Sequence, residues 1–150
     1  MTNTSVDRLS FADLRLGYEL PPVEAQVTQD VIDLAAVAHL DFNPVHTNIP
    51  WNERAQVFHM TETAAHGMFT MSLMVSVVDR AWRHLGASVQ TMQSKFTKPV
   101  PVGSVTRCTG VITELHPLGP GRNAVVVAVT ARNGEGDTVG ICTIRVAVPD

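Results

Sequence analysis

Sixteen consecutive residues, 63–78, contain no Asp, Glu, Lys or Arg, and this run constrains the fold more than any other feature of the chain. It is too short and too polar for a bilayer span, which requires roughly 20 apolar residues; Thr63, His66, Gly67, Thr70, Ser72 and Ser76 interrupt it. It reads instead as a buried helix, predicted over residues 66–85 and stopped by Gly86. The first three turns are apolar or small on every side, and an outward face begins only at Asp79, Arg80, Arg83 and His84. Such a helix has to be enclosed rather than laid on a surface.

The flanking sequence supplies the enclosure. Four stretches rich in Val, Ile and Thr (residues 88–96, 104–115, 123–133 and 138–148) read as strands, with turn-forming Pro, Gly and Asn clusters between them. Short connections predict an antiparallel meander in chain order. Upstream, residues 11–28 read as extended, broken by Gly17 and Pro21-Pro22. A helix over 29–40 follows, which Pro44 prevents from passing Phe42. The irregular stretch after it has room for one short helical turn near Trp51. The sum is one α+β domain over residues 1–150, an antiparallel β-sheet wrapped around a long central apolar helix, with residues 1–10 expected to be flexible.

Charge excludes several partners. Eleven basic and 14 acidic residues make 17% of the chain, against roughly 25% in an ordinary soluble domain. A net charge of −3 without any Lys/Arg block gives no footprint for nucleic acid or an anionic membrane surface. Cys108 and Cys142 form no CxxC pair and lie in strand-like runs, so they read as reduced core residues. The polar N-terminus has no apolar signal core, which points to a cytoplasmic protein. His39, His46, His59 and His66 match no HxxxH or HExxH spacing, so no metal is expected.

Chemistry concentrates in Asp41-Phe42-Asn43-Pro44-Val45-His46, followed by His66-Gly67-Met68 at the start of the apolar helix. On a continuous helix Asp41 and His46 would point apart; Pro44 breaks the helix and lets a turn aim both at one pocket. A carboxylate and a neutral imidazole sharing a pocket can hold one water. The imidazole acts as general base or acid near its ordinary pKa of about 6.5. Gly67 would present helix N-terminal N–H groups, unobstructed by a side chain, to a developing oxyanion. Read without further context, Asp41 and Asn43 are equally ordinary turn and helix-end residues, and His66 is a structural hydrogen-bonding group. Met68, Met71 and Met74 either fill the core or line an acyl tunnel, with Met68 the candidate substrate contact. Arg80, Arg83, Lys95 and Lys98 are either solvated surface or contacts for phosphates, and Trp51 and Trp82 suit a core edge or a subunit interface.

The six-residue run, the later Ala65-His66-Gly67-Met68 and the stretch Lys95-Phe96-Thr97-Lys98-Pro99-Val100 together resemble the signature of the MaoC-like, (R)-specific enoyl-CoA hydratase family. The resemblance implies a hot-dog fold, a homodimer or a heterodimer with another hot-dog chain, no metal, and no cofactor beyond the coenzyme A thioester that is the substrate. It implies reversible hydration of a trans-2-enoyl-CoA to the (R)-3-hydroxyacyl thioester. In that reaction Asp41 and His46 would be catalytic, the Gly67 N–H the oxyanion donor, and Asn43 and Ser72 substrate-binding. A (3R)-hydroxyacyl-carrier-protein dehydratase of fatty-acid or polyketide synthesis is one alternative, and a non-catalytic, partner-dependent acyl-binding subunit another. The chain departs from the pattern between His46 and His66, a longer segment carrying Trp51, Phe58 and His59, and at His39-Leu40, where a small residue and glycine usually precede the aspartate. Both departures bear on substrate choice more than on reaction type.

Overall fold

The computed structural model describes residues 10–149. Apart from Ser10, the expectation for residues 1–10 lies outside that range. Strand β1 (Glu19–Gln26) leads into helices α1 (Gln29–His39), α2 (Pro44–Thr47), α3 (Ile49–Ala55) and α4 (Gly67–Trp82). Strands β2 (Ser88–Phe96), β3 (Val105–His116), β4 (Ala124–Arg132) and β5 (Thr138–Ala147) follow. A 3₁₀ turn at Arg83–Leu85 prolongs α4 to Gly86, whose φ of 77° ends it at the predicted stop.

Local chemistry explains the helices that lead to the site. Thr28 caps α1 by accepting from the Val31 N–H, and the helix closes on Leu40, whose left-handed φ of 54° turns the chain outward. Where one short helical turn is predicted, the structure has both α2 and α3. Asn43 and Asn48 each cap a helix whose first turn holds a proline, Pro44 or Pro50, a start signal used twice in succession.

The five strands form one antiparallel sheet in the order β1-β3-β4-β5-β2. This corrects the predicted meander: β3, β4 and β5 follow it, but β2 pairs with β5 at the far edge rather than with β3. The segment between β2 and β3 is a crossover, not a hairpin. Its Pro99 and Pro101 have no N–H to give a ladder, and several of its other backbone groups bond to distant segments. Val100 O accepts from Ala65 N (2.8 Å), Val102 N donates to Thr63 O (2.9 Å) and Gly103 N to Val27 O (2.7 Å).

The sheet curls around α4, giving the hot-dog arrangement that the resemblance implies. Helix α4 buries Thr70, Met74, Val77, Val78, Ala81 and Trp82 against inward residues such as Cys108, Ile112, Val127 and Ile144. Gly110 permits this approach: a Cβ there would sit 2.8 Å from Val77 Cγ1 and 3.1 Å from Val127 Cγ1. Both cysteines are free and buried as expected, and burial pushes the Cys108 thiol up to about 11. Part of α4 stays uncovered, with Met68 and Ser72 exposed. The outer strand β2 is exposed along almost its whole length, whereas the opposite edge, β1, shifts register around Pro21-Pro22. Among the described residues no helix is long and apolar enough to cross a membrane.

Candidate active site

The run from Asp41 to His46 folds as two nested side-chain turns. Asp41 Oδ1 accepts from Asn43 N, and Asn43 Oδ1 accepts from Val45 N, each at 3.2 Å. Both use the habit of Asp and Asn side chains of bonding backbone two residues on. Pro44 opens α2, and His46 is thereby turned back toward the acid it follows by five positions. His46 Nε2 lies 3.8 Å from Asp41 Oδ2. That separation is too long for a direct hydrogen bond and short enough for one water to reach both.

The imidazole is held in a defined tautomer. His46 Nδ1 lies 2.7 Å from Ala64 O, and because a carbonyl can only accept, Nδ1 carries the proton and Nε2 is left bare in the neutral ring. Burial holds the His46 pKa below its ordinary 6.5; the neighbouring His66 lowers it further, while the Ala64 bond and Asp41 oppose. The neutral base is therefore the form present at neutral pH. The two side chains differ in exposure, 12% for His46 and 50% for Asp41, so the base is sheltered and the acid faces solvent.

A cleft of about 350 Å³ opens beside His46. One wall is the start of α4 with the residues before it, Ala64, Ala65, Gly67 and Thr70, and the other is the crossover, from Phe96 to Val100. The segment that diverts β2 to the far edge of the sheet thus builds half the site. Gly67 is the first residue of α4, so its N–H is among those that helix geometry leaves without an intrahelical partner. A Cβ on Gly67 would lie 3.1 Å from the Phe96 ring; glycine lets that ring form the wall.

The structure brings Asp41, His46 and Gly67 to one end of α4. His46 and Gly67 line the cleft; Asp41 is not among its lining residues and reaches the site through its 3.8 Å approach to His46. The other candidates stand apart. Asn43 is exposed, its side chain capping α2. Met68 and Ser72 lie on the open stripe of α4, with Ser72 Oγ donating to Met68 O at 2.9 Å, and neither lines the cleft. Lys98 does line it, paired at 2.8 Å with Asp137, and Trp82 belongs to the core. One ligand atom from each of Asp41, His46 and His66 falls within a 4.8 Å group. Yet His46 Nδ1 and His66 Nε2 are bonded to carbonyls, and the two rings stack at 3.7 Å and 27°. In-plane lone pairs of stacked rings run side by side instead of converging, so the set does not fit a metal ion.

Sequence reasoning missed the residues that hold the turn. Gln29 Nε2 donates to His46 O (3.0 Å), and the fully buried Asn52 donates to Pro44 O (3.1 Å) and Val45 O (3.3 Å). Neither stands out in the sequence: Gln29 is flanked by Thr28 and Asp30, and Asn52 is followed by Glu53 and Arg54. Phe58, part of the departure between His46 and His66 that bears on substrate choice, lines the cleft, and so does Phe96, which was not foreseen there.

The MaoC like domain family matches residues 17–134, most of the chain. The chain belongs to this family. A curated relative, 3-hydroxyacyl-thioester dehydratase Z of Mycobacterium tuberculosis, is 29% identical over 108 residues, covering 69% of this MaoC-like chain and 70% of the relative. Among solved structures, the R-hydratase PhaJ1 from Pseudomonas aeruginosa superposes with a TM-score of 0.84 at 22% identity, over 95% of this chain and 86% of that one. The ChsH1-ChsH2 complex from Mycobacterium tuberculosis superposes with a TM-score of 0.74 at 19% identity, over 89% and 98%. These likenesses establish the hot-dog fold, and the family is one of dehydratases and hydratases.

Proposed function

We propose that the protein is a hydro-lyase that reversibly hydrates a trans-2-enoyl-CoA to the (R)-3-hydroxyacyl thioester. The observation that carries this reading is the bare His46 Nε2, 3.8 Å from the Asp41 carboxylate, beside a cleft that ends on the N-terminus of α4. A water between them donates one hydrogen bond to Asp41 and the other to Nε2. The imidazole takes that proton as the water oxygen bonds to the β carbon. The displaced electron pair runs to the thioester oxygen, where the Gly67 N–H stabilises the enolate; a donor of this kind is worth about 2.7–4 kcal/mol. The proton on Nε2 then passes to the α carbon, so one water supplies both the hydroxyl and the hydrogen, and His46 returns to neutral. Asn43 holds the turn that orients the acid, while Ser72 and Met68 meet the substrate only where it extends along the open stripe of α4.

Relatives support the general chemistry: the curated relative is a thioester dehydratase and a structural neighbour is an R-hydratase. A hydration screen across short, long and bulky trans-2-enoyl-CoA esters, followed spectrophotometrically, tests the reading. Loss of conjugation without release of free thiol supports it. Thiol release would show a thioesterase instead, and activity confined to carrier-protein thioesters would show the carrier-protein dehydratase.

The exposed edge β2, with Val89, Met92 and Phe96 partly open to solvent, supports assembly with a second hot-dog chain. One structural neighbour is a two-component complex. A chain inactive until mixed with a different hot-dog subunit would establish the partner-dependent alternative.

A further inference from the structure

Three segments meet at His66. Its side chain is almost wholly buried, at 2% exposure. His66 Nε2 lies 2.9 Å from Asp41 O, so Nε2 carries the proton and donates. Its ring stacks on His46, with centroids 3.7 Å apart and planes at 27°, and meets His39 edge-on at 5.8 Å and 70°. The next residue in the chain is Gly67.

A purely structural account of this side chain is incomplete. His66 occupies the N-cap of α4 but makes no side-chain cap bond, and its Nδ1 is buried without a hydrogen-bond partner among the described residues. A buried unpaired polar atom is costly, and an apolar side chain of similar size would fill the space without that cost. What an apolar group could not do is donate to Asp41 while presenting a flat face to His46.

We propose that His66 is the positioning residue of the Asp41–His46–Gly67 constellation: its N–H fixes Asp41 through the main chain, and its ring sets the plane in which the His46 base lies. The inference rests on the hydration reading for its kinetic test but not for its spectroscopic one. Asp41 is gripped from two sides, since its own N–H donates to Ala36 O at 3.0 Å, so the carbonyl held by His66 sets the direction in which the side chain leaves. Across from it, the His46 ring can pivot about its single Ala64 bond unless a neighbour defines its plane. Because His66 directly precedes Gly67, the same residue ties the acid, the base and the oxyanion donor into one unit. Such a unit matters because a displacement of about 1 Å costs roughly a hundredfold in rate.

Two variants separate the two contacts. His66→Gln retains an N–H able to reach the Asp41 carbonyl but no ring; His66→Phe retains a stacking ring but no donor. For both, kcat for enoyl-CoA hydration is expected to fall by about ten- to a hundredfold with KM little changed, and His66→Leu, lacking both groups, to fall furthest. In nitrogen-15 spectra of the purified protein without substrate, His46 is expected to show one tautomer, protonated at Nδ1, in wild type and a mixture of tautomers in His66→Leu. Wild-type kcat in His66→Leu, or a single unchanged His46 tautomer in all three variants, would overturn the proposal. So would equal kcat losses in all three that merely track their thermal transitions. If the wild type hydrates no enoyl-CoA, the hydration reading fails, and the His46 spectra still decide the role of His66.

Discussion

At the scale of single residues, His46 gives the site its pH dependence. Its folded pKa is depressed, first by burial, so the unfolded chain takes up its proton more readily than the native one. The native state is then favoured least where both forms are protonated, and stability falls as pH drops from 6.5 through the lower folded value. The unfolding free energy should decline on acidification through that window, and His46→Gln should flatten this part of the profile in urea titrations. The acid limb of kcat/KM should likewise report an apparent pKa below 6.5 in wild type. Gly67→Ala makes a separate point. Its new methyl meets the Phe96 ring, so KM is expected to rise several-fold, while the thermal transition stays level because alanine suits a helix. The run from Asp41 to His46 was legible because its turns are local. Gln29 and Asn52 were not, since each is defined by partners 7 to 17 positions away. His66 was legible as a structural hydrogen-bonding residue, but its bond to Asp41 O and its stacking on His46 were not.

At the scale of elements, most boundaries follow from the residues themselves. The strands start and end where Val, Ile and Thr give way to Pro, Gly and Asn, and the 3₁₀ turn that prolongs α4 stops at Gly86. The pairing of β2 could not be read the same way. The composition of residues 97–104 looks like a turn, and only bonds to residues 27, 63 and 65 turn it into a crossover. The close approach of α4 to the sheet was equally silent, because Gly110 reads as a weak spot in a strand until Val77 is set above it. Gly110→Ala should therefore destabilise by about 1–3 kcal/mol, the usual cost of overpacking, measured by chemical denaturation. Gly134, with open space around it, serves as the control, and Gly134→Ala should change stability by much less.

For the whole molecule, the shortage of charge has a location. Large apolar side chains stay exposed on α1, on the turn after it, on α4 and on β2: Leu34, Leu40, Phe42, Met68 and Met92. An exposed apolar edge strand invites pairing, and interface cores are depleted in charge. Sedimentation is expected to give a mass about twice that of the 16.2 kDa chain, and Met92→Lys should shift it toward the monomer, because lysine on an edge opposes strand addition. A monomeric wild type would leave the low charge without this explanation.

Joint activation of one water by Asp41 and His46 is tested most directly by kcat for trans-2-enoyl-CoA hydration in Asp41→Asn and His46→Gln. Both variants should keep the wild-type circular dichroism spectrum and lose about 10²- to 10⁴-fold in kcat, the range expected for a general base. Near-normal hydration by either folded variant would contradict the account.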